Sequence, residues 1–125
     1  MSAAVAGDAR RVSDAQNDLA TWCAEELVPH AGAEEVSLYP AARAKPEGRL
    51  LIEGMLAEHD LLHDLIARVA SATDPVRAAA AAAALQAVFE SHLAKENDLV
   101  LPLLVAAEDV RVIDLLRGMH EVLGQ

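Results

Sequence analysis

Seven polar side chains stand at positions where a helical pattern calls for apolar ones. Apolar residues recur along the chain at steps of three or four, the period of a helix face packed against other helices. An imidazole or a carboxylate at such a position is costly to bury unless a partner compensates it. The seven residues are His30, Glu34, His59, His63, His92, Glu96 and His120. A metal site would compensate them together, since both side-chain types are metal ligands.

Six of these residues form three pairs, and the members of each pair are four residues apart. The pairs are His30 with Glu34, His59 with His63, and His92 with Glu96. Residues four apart lie on one face of a helix, so each pair can present two ligands to one point. Three such pairs on three helices can converge on the axis of a bundle. Imidazole with carboxylate suits iron better than magnesium or calcium, which prefer oxygen ligands alone.

A short internal repeat predicts a centre for two metals. Each unit has a histidine, a glutamate four residues later and a proline ten residues later, and the units begin at His30 and His92. A further histidine follows 29 residues after the first of these and 28 residues after the second, at His59 and His120. Two helix pairs related by an approximate two-fold axis would place these groups around a shared centre.

The apolar pattern predicts four helices joined by short links, over residues 19–38, 52–69, 85–99 and 113–123. Pro29 lies inside the first helix and should kink it, because proline removes a backbone donor. Asp74 and Pro75 are typical of a helix start and should begin the third helix, which should stop near Pro102. Short links favour an antiparallel four-helix bundle. We expect this domain to span residues 8–125, after a flexible tail at residues 1–7.

The composition agrees with a single all-α domain. The chain has 125 residues, of which 54% are hydrophobic, and this is enough for one core. No segment alternates apolar and polar residues as a half-buried strand would. Trp22, Cys23 and Phe89 are expected to serve packing, and the alanine run at residues 78–84 is expected to allow close helix packing.

Charge and cysteine content exclude several kinds of partner. The formal net charge is −10, from 10 basic and 20 acidic residues, so a basic surface for nucleic acid or anionic lipid is not expected. Cys23 is the only cysteine, which precludes an intrachain disulfide and fits a reducing compartment such as the cytoplasm. No apolar run is typical of a signal peptide or a membrane span. We expect a monomer or a homodimer.

At the candidate ligands the chain resembles the hemerythrin-like, HHE cation-binding family. The matching segments are PHAGAEEVSLYP, AEHDLLH and SHLAKENDLVLP, which span most of residues 27–104. The resemblance implies a non-haem centre of two irons with an oxygen-derived bridge and an open position. The implied ligands are His59, His63 and His92 for one iron, His30 for the other, and Glu34 and Glu96 as bridges.

The chain departs from the family pattern in two places. The family's last motif often has an aspartate one residue further along, where here Glu96 lies four residues after His92. The family also has a first helix with a histidine, whereas no histidine precedes His30 here. Three arrangements stay open: the second iron lacks one ligand, a partner chain supplies it, or His120 takes its place in a circularly permuted bundle. The internal repeat favours the last.

For each candidate ligand the plainer alternative is a histidine or glutamate with an ordinary hydrogen-bond partner. Glu35 and Glu58 flank ligand positions and either face solvent or contact the ligands. Tyr39 is either a core residue or a hydrogen-bond donor to a species held by the metals. His120 has no acidic residue four positions away, so a ligand and a surface histidine are both open.

The resemblance implies binding of dioxygen, or of nitric oxide or peroxide, for sensing, storage, delivery or detoxification. A ferroxidase is disfavoured, because ferritin-like sites are rich in carboxylates with Glu-x-x-His spacing. The alternatives are a peroxidase-like or catalase-like enzyme at the same centre and a metal-free helical interaction module. A bis-histidine haem bundle is disfavoured by the carboxylates. Whether the protein is an enzyme stays open.

Overall fold

The computed structural model describes residues 3–124, with side chains from residue 10 onward, and helices make up nearly all of this part. The helices are α1 (Ala3–Trp22), α2 (Val28–Val36), α3 (Leu38–Arg43), α4 (Arg49–Ser71), α5 (Pro75–Lys95), α6 (Leu101–Ala106) and α7 (Val112–Val122). Two π-helical turns, Cys23–Leu27 and Glu96–Val100, and one 3₁₀ turn, Pro46–Gly48, lie between them. The described residues contain no strand, so the prediction of an all-α fold is confirmed.

Two prolines explain the two π-helical turns. Pro29 and Pro102 each lie two residues after the end of such a turn. A proline ring clashes with the carbonyl group four residues earlier in a regular α-helix, and a wider turn relieves the clash without ending the helix. The backbone therefore stays helical from α1 into α2 and from α5 into α6. The predicted end of the third helix near Pro102 is wrong, since the helix continues to Ala106.

The link between α3 and α4 depends on a glycine. The first helical stretch ends at Ser37, whose φ of −121° and ψ of −77° are not helical, and α3 follows at once. Gly48 is buried at the start of α4. A Cβ at this position would overlap the carbonyl oxygen of Ala42 and approach the side chain of Leu103 to 2.7 Å. Only glycine lets α3 come this close to α4.

Helices α4 and α5 form the closest-packed pair, and the chain between them is short. The Asp74 side chain accepts a 2.9 Å hydrogen bond from the backbone N–H of Arg77, and Pro75 is the first residue of α5. This N-cap matches the start predicted from the sequence. Ala81 and Ala82 pack against the core beside α4, as small residues in a close helix contact do.

The apolar core has two parts, and the middle of α4 separates them. One cluster comprises Leu38, Tyr39, Ala42, Ile52, Met55, Val100 and Leu104. The other comprises Cys23, Leu62, Leu65, Val69 and Leu85. On α4 the buried residue between Met55 and Leu62 is His59. The buried histidine thus lies in a polar layer between two apolar clusters.

Helix α7 covers one side of the molecule by packing on α2 and α3. Its Leu115 and Met119 side chains pack against the first cluster, and the Ser37 hydroxyl donates a 2.6 Å hydrogen bond to the backbone oxygen of Leu115. This agrees with a fourth helix closing the bundle. The circularly permuted arrangement itself stays a prediction.

The two ends of the predicted domain are only partly described. Residues 1 and 2 of the predicted tail lie outside the described residues, and residues 3–7 belong to the helical backbone of α1. The flexibility of this segment stays a prediction. No helix within residues 3–124 combines the length and the apolar character needed to cross a lipid bilayer.

Candidate metal centre

Four of the predicted ligands meet in the layer between the two apolar clusters. Glu34 comes from α2, His59 from α4, His92 from α5, and Glu96 from the π-helical turn that follows α5. Each offers a nitrogen or oxygen atom, and these atoms lie within 4.8 Å of one another. His59 is 1% exposed and His92 is 4% exposed. Three helical stretches thus bring two imidazoles and two carboxylates to one point.

A carboxylate orients each of the two buried imidazoles. The Nδ1–H of His59 donates to Glu35 Oε1 at 2.8 Å, and the Nδ1–H of His92 donates to Glu58 Oε1 at 3.2 Å. Lys95 donates to the other oxygen of Glu58 at 2.7 Å. A proton fixed on Nδ1 leaves the Nε2 lone pair free, which is how metal-binding histidines are commonly held.

The group has more acceptors than protons. The Nε2 atoms of His59 and His92 face each other at 3.1 Å. The Tyr39 hydroxyl lies 3.2 Å from each of them and donates to Glu96 Oε1 at 2.8 Å. Within the described residues, Glu34 Oε2 is buried and has no hydrogen-bond partner. One hydroxyl proton cannot satisfy all these atoms, and unsatisfied buried acceptors are costly.

A metal cation would satisfy the surplus acceptors, and the distances suit it. Two nitrogen ligands about 2.1 Å from a metal and at right angles to each other are roughly 3.0 Å apart. The separation of the His59 and His92 Nε2 atoms is 3.1 Å. Carboxylate oxygens complete a mixed nitrogen and oxygen donor set of the kind that binds iron and other transition metals. The residues present therefore fit a metal ion.

Burial shifts the pKa values of two candidate ligands. It lowers the pKa of His92 below its ordinary value, despite the opposing hydrogen bond with Glu58. It raises the pKa of Glu96 to about 7. A neutral imidazole is the form that binds metal. The raised pKa of the Glu96 carboxyl shows that no nearby positive charge offsets its burial. A cation in the group would supply that neighbour.

The pKa values of two surrounding groups, Tyr39 and Glu58, are shifted in directions that support the same protonation pattern. Burial raises the pKa of the Tyr39 hydroxyl, and the carboxylates of Glu35 and Glu58 raise it further, so Tyr39 is a neutral phenol. Burial also acts to raise the pKa of Glu58, but hydrogen bonds from Lys95 and His92 outweigh it and hold this pKa below its ordinary value. Glu58 is thus an ionised acceptor.

A cavity of about 410 Å³ lies beside the four ligands, which form its polar end. Its other walls are mainly apolar and include Trp22, Leu62 and Phe89. Helix α7 contributes Leu116 and Met119 to the wall. A small molecule in this cavity would reach the metal-binding atoms directly.

The other three predicted ligands lie outside the group of four. His30 is exposed but lines the same cavity, and its Nδ1–H donates to the backbone oxygen of Glu26 at 2.6 Å. His63 is exposed, and its neighbour Leu62 lines the cavity instead. His120 is also exposed. The roles of these three histidines as ligands stay predictions.

Three residues that contact the candidate ligands are only weakly indicated by the sequence pattern. Glu35 and Glu58 flank ligand positions, and the alternative in which they contact the ligands is the one the structure has. Tyr39 is both a core residue and a hydrogen-bond donor within the group. A buried tyrosine needs a partner for its hydroxyl, and the nearby HxxxE motif was the available indication. The half-exposed Trp22, expected to serve packing, contacts the Phe89 ring and also lines the cavity.

The sequence matches a known protein family. The family model described as the hemerythrin HHE cation binding domain matches residues 2–104. The matched range contains all four grouped ligands, while α7 with His120 lies beyond its end. No significant match was found among curated proteins or among solved structures.

Proposed function

Because this chain belongs to the hemerythrin HHE cation-binding family, we propose that Glu34, His59, His92 and Glu96 bind iron. The observation that supports this most strongly is the surplus of acceptors. Two imidazole Nε2 atoms face each other at 3.1 Å, and a buried Glu34 oxygen has no partner among the described residues. A cation compensates all of these atoms, and the imidazole and carboxylate set suits iron.

We propose further that the centre holds two irons, with Glu34 and Glu96 shared between them. Each carboxylate has two oxygens and can serve two metals. His30 lines the same cavity with its Nδ1 already engaged by the backbone, so its Nε2 is the candidate donor to the second iron. His63 and His120 are the remaining candidates, and each would have to turn inward to contribute.

The experiment is metal analysis with an absorption spectrum of protein purified after iron-replete growth. We expect about two irons per chain with near-ultraviolet charge-transfer bands. His59→Ala and His92→Ala should lose iron, whereas Asp60→Ala, an exposed neighbour on α4, should keep it. Stoichiometric zinc as the only metal, or full iron content in both histidine variants, would refute the assignment.

Single-histidine variants test which residues bind the second iron. His30→Ala is expected to keep one iron at the group of four and lose the other. His63→Ala and His120→Ala test the remaining predicted ligands in the same way. If His120→Ala keeps two irons and an unchanged spectrum, then α7 only covers the cavity, and the second iron is completed by another residue or another chain.

We propose that the centre binds dioxygen, nitric oxide or peroxide, for sensing, storage or detoxification. Bound iron would supply an open coordination position for such a ligand. Glu35 and Glu58 keep the imidazole lone pairs aimed at the centre, and the Tyr39 hydroxyl holds a proton at the same point. The apolar side chains of the cavity wall give a small uncharged ligand an apolar surface beside the centre.

A second candidate function is peroxide turnover by the same centre. The Tyr39 hydroxyl is a neutral phenol that carries a proton at the centre and donates a hydrogen bond to Glu96 there. A positioned hydroxyl of this kind can act as a general acid toward a bound peroxide. Hydrogen peroxide decay well above that of free iron, and its loss in Tyr39→Phe with unchanged iron content, would favour the enzyme.

A further inference from the structure

We propose that the cavity beside the metal centre binds a neutral, mainly apolar organic molecule with one oxygen-bearing end, of the class of medium-chain alcohols and aldehydes. The oxygen lies at the group of His59, His92 and Glu96, and the apolar chain extends past Trp22 and Phe89. The inference rests on the proposed function only for what the oxygen meets at the polar end.

The first argument is the size of the cavity. Its volume is about 410 Å³, whereas one water molecule takes up about 30 Å³ in the liquid. A diatomic ligand would fill a small fraction of this space. Cavities that bind small organic molecules have volumes of roughly 300–1,000 Å³, with apolar walls and a few polar groups at one place. The cavity here has that form.

The second argument is a neighbouring cavity of about 640 Å³ that extends the apolar path. The two cavities share Trp22, Leu27 and Phe89 as wall residues. The Trp22 and Phe89 rings contact each other with centroids 5.9 Å apart. Beyond them, Ala79 and Ala83 of α5 leave room for a chain along the wall. The two cavities are therefore neighbours, and in the proposed complex the end of a long chain passes the three shared side chains into the second cavity.

Exposed apolar side chains mark the same place. Trp22 is 46% exposed, and Leu93 and Leu116 are each 42% exposed, and all three line the first cavity. Apolar surface that converges on a cavity is typical of a binding site. A bound apolar molecule would remove this surface from water.

Charge decides the kind of oxygen-bearing end. Among the residues that the structure describes, no lysine or arginine lines either cavity. The carboxylates of Glu26, Glu34 and Glu96 line the first cavity, and that of Glu90 lines the second. In the metal-free protein a carboxylate ligand would meet these charges without a cationic partner, so in that form a neutral hydroxyl or carbonyl end is preferred.

A small molecule fits this space better than a helix from another chain. A helix with its side chains is about 10–12 Å across, and α7 already covers the first cavity with Leu116 and Met119. A helix that entered the first cavity would also have to fit beside these two side chains. A single alkyl chain is much narrower than a helix.

The test uses the fluorescence of Trp22, the only tryptophan in the chain. The full-length protein, in metal-loaded and in metal-free form, is titrated with 1-hexanol, 1-octanol, 1-decanol and decanoate. We expect a saturable change with 1-decanol and an affinity that rises about fourfold per added methylene group. In the metal-free form decanoate is expected to bind at least about tenfold more weakly than 1-decanol, because of the carboxylates on the wall.

Two alanine variants of α5 form a matched pair. Ala83 lines the second cavity, and Ala84 lies next to it but lines neither of the two cavities. Both are exposed, so a leucine at either position leaves the core intact. Ala83→Leu should weaken the binding of 1-decanol at least about tenfold and the binding of 1-hexanol far less. Ala84→Leu should bind both alcohols as the wild type does.

Each outcome has a definite meaning. Absence of a saturable change with 1-decanol in protein that retains its metal overturns the inference and leaves the metal centre standing. Decanoate binding to the metal-free form as tightly as 1-decanol, or unchanged 1-decanol binding in Ala83→Leu, also overturns it. A dimer in sedimentation that excludes 1-decanol assigns the cavity to a second copy and overturns it as well. Protein that takes up no iron after iron-replete growth but binds 1-decanol supports the cavity and refutes the proposed function.

Discussion

At the residue scale, the carboxylates behind the imidazoles are the residues to test first. Glu35 accepts from His59 at 2.8 Å although its own side chain is 41% exposed. Its contribution is therefore the orientation and basicity of the His59 ring. Glu25 is an exposed glutamate outside both the group and the cavity wall, which makes it a suitable control.

We expect Glu35→Ala to lower iron affinity about 10- to 100-fold, because the imidazole loses the partner that fixes its tautomer. Competition with a chelator measures this loss, and Glu25→Ala should compete as the wild type does. Glu35→Gln keeps an acceptor and should recover part of the affinity. An unchanged affinity in Glu35→Ala would show that packing alone orients His59.

Glu96 gives the metal-free protein a predictable pH dependence. Burial raises its pKa in the folded protein from 4.5 to about 7, so the folded state binds the proton more tightly than the unfolded state. The contribution of Glu96 to the free energy of unfolding is therefore greatest below about pH 4.5, and it falls as the pH rises toward 7. Denaturant midpoints of metal-free protein between pH 5 and pH 7.5 should show this fall, and Glu96→Gln should remove it.

At the element scale, the position of Tyr39 depends on how α3 meets α4. The 3₁₀ turn Pro46–Gly48 joins these helices, and Gly48 allows the backbone of Ala42 to come close. Tyr39 lies on α3, one turn before Ala42, and its hydroxyl must reach His59 on α4. A small shift of α3 would therefore move the Tyr39 hydroxyl within the proposed metal-binding group.

We expect Gly48→Ala to lower the free energy of unfolding by about 1–3 kcal/mol, since a Cβ there overlaps the Ala42 carbonyl oxygen. Gly54→Ala is the matched control. Gly54 is an exposed position within α4 with open space around its Cβ, so alanine should raise helix stability by up to about 1 kcal/mol. Urea denaturation measures both, and equal effects of the two substitutions would contradict the account.

At the scale of the whole molecule, the helices and the class of site could be predicted because both follow from period and residue type. The stripes of α4 and α5 mark buried positions correctly at His59 and His92. A spacing of four residues does not determine that both side chains are buried. Positions four apart on a helix differ by about 40° in direction, and this is enough to put His59 inside and His63 in solvent.

The continuation of the helix past Pro102 was beyond the sequence pattern, because a proline ends most helices and only the π-helical turn lets this one continue. The hydrogen-bond partners of the two buried histidines also could not be predicted from the sequence pattern. Glu58 lies on α4 but accepts from His92 on α5, and a contact between helices depends on how they are rotated against each other. Periodicity along one helix carries no such information.

The division of the core into two clusters, with the polar layer of His59 and His92 between them, bears on the cooperativity of unfolding. Hydrophobic contacts hold each cluster together, but the layer between them gains cohesion only when its acceptors are satisfied. We expect amide hydrogen exchange in metal-free protein to reveal two opening free energies, one for residues near Leu65 and another for residues near Ile52. Iron should bring both to a common, higher value. The metal would then unite two small folding units into one domain.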